Sequence, residues 1–154
     1  MLKRPENPLH RRAIYLLQNT IWSILPLQGG EGKSAKRPPA KFTWRRYTQR
    51  RAHLEDLERW FTDHSVGGLG IICGEISQLT VIEFDDAAHY QRFSRQFPEL
   101  LDTYTVLSAN RKLPHLYYHT SFNTENTEST FGSIRSQGKY VVAAGTQIGD
   151  RQYE

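Results

Sequence analysis

The stretch Thr80-Val81-Ile82-Glu83-Phe84-Asp85-Asp86 runs from a β-branched, apolar start into three acidic residues within four positions. Val81, Ile82 and Phe84 favour a strand, and strand side chains alternate between faces. Ile82 and Phe84 therefore enter the core, while Glu83 and Asp85 project together to the other side. Two carboxylates at the end of a buried strand repel one another. A divalent cation relieves that repulsion, and hard oxygen ligands suit Mg²⁺ or Mn²⁺. The same acidic-x-acidic pattern also describes an ordinary solvated strand end. Asp86 is placed to cap a helix running to about Phe97, with Ala88, Phe93 and Phe97 facing inward.

Upstream, Leu69–Cys73 and Leu79–Phe84 flank Gly74-Glu75-Ile76-Ser77-Gln78, which predicts a β-hairpin with a five-residue loop. Leu54, Leu57, Trp60 and Phe61 recur at helical spacing, with Glu55 and Arg59 set as an i,i+4 pair, and Gly67-Gly68 end that helix. Further back, Gln28 to Ala40 is rich in Gly, Pro and Lys and predicts a loop. It follows a short buried strand, Ile21–Leu27, and an amphipathic helix over residues 8–18. Downstream, Thr103–Leu107 and Pro114–His119 predict a strand pair across the polar turn Ser108–Lys112. Thr120–Thr130 predicts a long mobile loop, and Phe131–Arg135 with Lys139–Ala143 a last hairpin around Gln137-Gly138. This order predicts an α+β fold with a mainly antiparallel sheet and flanking helices.

With 154 residues and 38% hydrophobic content, one domain over residues 1–154 with a modest core is expected. No apolar run is long enough for a membrane span, and the first twelve residues are too polar for a signal peptide. Cys73 is the only cysteine, which excludes an internal disulfide and a thiolate-rich zinc site. A soluble, cytoplasmic protein is the expectation. Residues 1–53 carry twelve Lys and Arg against Glu6 and Glu31, a balance of +10, so the remaining 101 residues sum to −6. A basic first third followed by an acidic remainder suits one surface that tracks phosphates and another that gathers carboxylates, although ordinary solvated faces produce the same balance.

Other residues suggest chemistry more weakly. His115 and Tyr117 share one face of the strand Pro114–His119, and Arg111 and Lys112 precede it, so His115 is a candidate donor to a phosphate oxygen. Arg135 and Lys139 flank the last hairpin and are candidates for the same role. Gly29-Gly30-Glu31-Gly32-Lys33-Ser34 ends like a phosphate-binding loop, but its spacing is too short and no strong helix follows, which excludes nucleotide hydrolysis of that type. Trp44, Tyr47 and Trp60 lie near Arg45, Arg46, Arg50 and Arg51; such aromatics stack nucleic-acid bases, though Trp60 fits the apolar face of its helix.

Taken together these pieces resemble the N-terminal domain of bifunctional DNA primase/polymerases, within the archaeo-eukaryotic primase superfamily. The resemblance runs from about Trp22 to Glu154. It rests on Ile24-Leu25-Pro26, Lys36-Arg37-Pro38, Trp44, Trp60, Gly70-Ile71-Ile72-Cys73-Gly74, Glu83-Phe84-Asp85, His115-Leu116-Tyr117 and Gly138 with Tyr140-Val141-Val142 and Gly145-Thr146. It implies a catalytic core similar to an RNA-recognition motif, with Glu83 and Asp85 holding Mg²⁺ or Mn²⁺. It also implies His115 on the triphosphate of a nucleotide, helped by Arg111, Lys112, Arg135 and Lys139. Lys36, Arg37, Lys41, Arg45 and Arg46 are the expected contacts to single-stranded or primed DNA, and a replicative helicase is a conceivable partner. The implied activity is primer synthesis or extension on a DNA template. Glu83 stands where the family usually has Asp, and Leu113-Pro114 replaces the Gly that commonly precedes the histidine. Ser133 stands where it has a third carboxylate, so a non-catalytic binder of nucleic acid or nucleotide is the alternative. The chain ends at Tyr153-Glu154, where the family normally continues, and a shortened domain is therefore expected.

Overall fold

The computed structural model describes residues 5–121, 124–128 and 130–154. Helix α1 (Pro8–Asn19) starts where the Asn7 side chain accepts from the N–H of Leu9 at 2.9 Å, with Pro8 in the first turn. Its last carbonyls are taken by Arg51, which donates to Leu17 and Thr20 at 2.7 Å each. Helix α2 (Leu54–Asp63) starts where the carboxylate of Asp56 accepts from the N–H of His53 at 2.9 Å. Arg59 pairs with Asp56 rather than with Glu55, which corrects the i,i+4 expectation.

Strands β1 (Ser23–Leu27), β2 (Gly68–Ile72) and β8 (Tyr140–Val142) form one antiparallel sheet with β2 in the middle. Pro26 is tolerated in β1 because that strand lies at the edge. A second antiparallel sheet has the order β4-β5-β3-β7-β6, from β3 (Leu79–Phe84), β4 (Thr105–Leu107), β5 (Pro114–His119), β6 (Thr127–Glu128) and β7 (Gly132–Arg135). A small hairpin of β9 (Gln147–Ile148) and β10 (Arg151–Gln152) completes the chain. The α+β architecture with antiparallel pairing is as expected.

Neither of the two hairpins expected around Gly74–Gln78 and Gln137-Gly138 pairs its strands, although a single antiparallel bridge closes Gly74 onto Leu79 in the first turn. β2 and β3 belong to different sheets, and so do β7 and β8. Residues 68–84 and 132–142 form a ribbon of two antiparallel strands that pair in one sheet, turn a corner side by side, and pair again in the other. The corner is tied by the N–H of Cys73 to the carbonyl of Lys139 at 2.9 Å, and by the N–H of Glu75 to Oε1 of Gln137 at 2.9 Å. Gly74 turns it at φ 93°, and a Cβ there would lie 2.3 Å from Oε1 of Gln137.

The core lies where both sheets meet α1 and α2, and includes Leu16, Ile24, Leu57, Trp60, Ile71, Ile72, Val81, Val106 and Tyr117. The opposite face of the five-stranded sheet meets α3 (Ala87–Gln96), which the Asp86 carboxylate caps by accepting from the N–H of His89 at 2.8 Å. Phe93 packs on Phe84 at 5.1 Å between centroids, but α3 contributes no buried residue; Ala88 is exposed and Phe97 is 37% exposed. The inward placement predicted for those two is corrected: one helix at the sheet's rim leaves its own apolar stripe partly uncovered. Within the segment predicted as a loop, Thr127–Glu128 pairs with β7, while Phe122, Asn123 and Ser129 lie outside the described residues. Among the described residues no helix is long and apolar enough to cross a membrane.

Candidate functional site

Register places the site. Val81 pairs with Tyr117 on one side and Arg135 on the other, Glu83 pairs with Ser133, and Val106 pairs with His115. Alternation then puts Glu83, His115, Ser133 and Arg135 on the inner face of the five-stranded sheet. Glu83, His115 and Arg135 line an open cleft of about 780 Å³, and Ser133 is not part of its lining. Its walls carry Lys33, Lys36 and Trp44 from the N-terminal third, Arg111 from the β4–β5 turn, Lys139 and Tyr140 from beyond the corner, and Tyr153.

Glu83 is the carboxylate of the cleft. Its Oε2 accepts from Nε of Arg135 at 3.2 Å, and its Oε1 lies 3.7 Å from Nδ1 of His115. Arg135 also reaches Glu128 at 3.3 Å, so the guanidinium bridges two strands. Burial pushes the pKa of His115 down; Glu83 opposes this, and the positive charges of Lys36 and Arg135 reinforce it. His115 Nδ1 is buried with no hydrogen-bond partner, and the ring meets Tyr153 edge-on at 5.8 Å. Nζ of Lys36 sits 5.7 Å over the same Tyr153 ring, and the hydroxyl of Tyr140 donates to the carbonyl of Lys36 at 2.9 Å.

Of the residues singled out in the sequence, Glu83, His115, Arg111, Arg135, Lys139 and Lys36 are gathered in this cleft. Asp85 is exposed just past the end of β3 and is not part of the lining; the side chain of Arg111 donates to its carbonyl. Lys112 points elsewhere, paired with Glu154 at 3.0 Å. Arg46 is bound to Asp56 at 3.1 Å, while Arg37, Lys41 and Arg45 are exposed outside the lining. Tyr153 escaped the sequence reading, yet the Gly149-Asp150 pair between Gln147-Ile148 and Arg151-Gln152 is the kind of signal that marks a tight hairpin and would have placed it.

The donor set defines which metals are possible. Among the described residues no cluster of three or more His, Cys, Asp or Glu is placed to hold a metal ion. Mg²⁺ does not need such a cage, because one or two carboxylates and the phosphates of a substrate suffice. Glu83 Oε1, which makes no hydrogen bond among the described residues, fits that mode, with Asp85 two residues on. Ser133, directly opposite Glu83, brings a hydroxyl and no charge, so the residues suit one ion shared with a triphosphate better than two.

The site is thus a cation-lined cleft over the antiparallel sheet of an α+β domain, with one carboxylate at its centre. The family model for the N-terminal domain of bifunctional DNA primase/polymerases matches residues 13–154, and the chain belongs to that family. A search of curated proteins gave no match.

Proposed function

We propose that the cleft binds a nucleoside triphosphate and carries primase/polymerase-type nucleotidyl transfer, adding nucleotides to a DNA primer or starting one on a template. The observation that supports this is the gathering of Lys33, Lys36, Arg111, Arg135 and Lys139 around Glu83 and His115 in one cleft. A triphosphate needs that excess of positive charge, and phosphoryl transfer is largely a matter of positioning and neutralising it. Arg111, Arg135 and Lys139 hold the phosphate oxygens as charged donors, and His115, held neutral by burial, donates one hydrogen bond without adding charge. Glu83 and Asp85 would hold Mg²⁺ or Mn²⁺, which when bound neutralises the phosphates and activates the attacking 3′-hydroxyl. Primer extension in Mn²⁺ is the test: the parent chain extends, and Asp85→Ala and Glu83→Ala, shown folded by circular dichroism, do not.

A second reading is favoured by one observation. Ser133 faces Glu83 where a carboxylate would complete a two-metal site, and Arg135 already neutralises Glu83. On that reading the chain binds nucleotide and extends nothing, and Ser133→Asp restores extension. Extension by the parent decides against this reading; a folded parent that binds triphosphate and extends nothing, with extension restored in Ser133→Asp, decides for it.

A further inference from the structure

We infer that Trp44 is the wall on which the nucleobase of the bound triphosphate stacks, and that this wall holds a base without selecting among bases. The inference rests on the triphosphate reading of the cleft and adds the position of the ligand's other end. The chain has three tryptophans, and two are committed elsewhere. Trp60 is 3% exposed in the core, its Nε1 donating to the hydroxyl of Tyr47 at 3.3 Å. Trp22 packs against Tyr104 and Tyr117, each at 5.6 Å. Trp44 is half-buried and lines the cleft.

Its ring is held rather than loose. The carbonyl of Trp44 accepts from the N–H of Tyr47 at 2.9 Å at the start of the short helix Arg45–Thr48. Its indole meets Tyr140 edge-on at 5.3 Å and 76°. Tyr140 in turn bonds the carbonyl of Lys36, so the aromatic wall and one of the phosphate-facing lysines are joined through a single hydroxyl. A flat π surface fixed beside a cluster of cations matches a ligand with a flat aromatic head and an anionic tail. Inorganic polyphosphate would use only the cations. Beside Tyr140, β8 offers the cleft only Val141 and Val142, which have no side-chain group to read a base edge. Stacking is indifferent to base identity because every base has a π face.

The test compares ATP, CTP and inorganic tripolyphosphate by titration calorimetry on the full chain and on Trp44→Leu and Trp44→Phe. The parent is expected to bind both nucleotides similarly, and about tenfold or more tighter than tripolyphosphate, with nucleotide alone quenching tryptophan emission. Trp44→Leu should lose that advantage while keeping its affinity for tripolyphosphate, and Trp44→Phe should keep most of it. Equal binding of tripolyphosphate and nucleotide by the parent overturns the stacking wall and leaves the triphosphate site standing. That comparison needs no variant to fold. Equal losses for all three ligands in Trp44→Leu reduce Trp44 to packing, and unchanged nucleotide binding in that variant puts the base elsewhere. A parent that binds neither nucleotide nor tripolyphosphate overturns the triphosphate reading itself, and the wall with it.

Discussion

Asp56 has only 2% of its side chain exposed, yet Arg46, Arg50 and Arg59 all reach it, and it also accepts from the N–H of His53. Burial alone would push its carboxyl up; the hydrogen bonds from Arg50, His53 and Arg59 outweigh that and hold it far below the ordinary carboxylate range. Protonation therefore favours the unfolded chain, whose carboxyl titrates near the ordinary 3.8. The stability Asp56 contributes is complete above that value and is lost as pH falls below it. Asp56→Asn should cost about 1–3 kcal/mol in urea unfolding at pH 7, because the arginines can turn to solvent but the cap of α2 is weakened. The gap between the two chains should narrow at pH 3; an equal gap at both pH values would show that the charge of Asp56 is not what stabilises the fold. The same residue takes up part of the positive charge of the first third. Arg46 and Arg50 answer a single buried carboxylate, and Arg51 serves the carbonyls of Leu17, Thr20 and Trp22.

At the scale of elements, β7 enters its sheet at Gly132, with φ 146°, where a Cβ would stand 2.0 Å from the carbonyl oxygen of Glu83. Gly132→Ala must push β7 off β3 beside the central carboxylate. It should lower stability by about 1–3 kcal/mol in thermal melts and weaken triphosphate binding as well. A variant with the parent's melting point and affinity would show that the strands yield there without cost. Helices and strands were legible where the pattern is local. The span of α1, the start of α2, the Asp86 cap and the run Pro114–His119 lie within a residue or two of where the pattern puts them. Helix α2, by contrast, ends at Asp63, before the Gly67-Gly68 pair expected to stop it, because His64 already has extended backbone. Partners were not legible, because Gly74 and Gly138 mark a change of direction without saying whether the chain folds back on its neighbour or crosses to another sheet. The cleft inherits this split. Glu83 and His115 meet because alternation fixes their face once β3 and β5 are paired. Trp44, Tyr140 and Tyr153 depend on the packing of one sheet against the other, which no periodicity records.

For the molecule as a whole, the DNA contact expected from the basic first third has to come from the cations the fold leaves free. Lys41 and Arg45 are exposed and make no ion pair among the described residues, whereas Arg46 is bound to Asp56. Gel-shift titrations with single-stranded DNA should show affinity falling with salt. Lys41→Ala/Arg45→Ala should flatten log K against log salt by about 1.4, near 0.7 per lost phosphate contact. Arg46→Ala should act on stability first. A parent whose binding ignores salt, or a double variant with the parent's slope, would remove this surface from consideration. The cornered ribbon also has a consequence for how the protein is made. A ribosome releases β2 and β3 well before β7 and β8, and until the last two emerge each of the first two strands keeps one side unpaired. Nascent chains released through His119 thus expose two open strand edges that invite pairing with other chains, the form of the protein in greatest need of a chaperone. Arrested chains ending at residue 119 should bind a holdase that chains extended through residue 154 no longer engage. Emergence of β7 and β8 then supplies the missing neighbour in both sheets and brings Arg135, Lys139 and Tyr140 to the cleft.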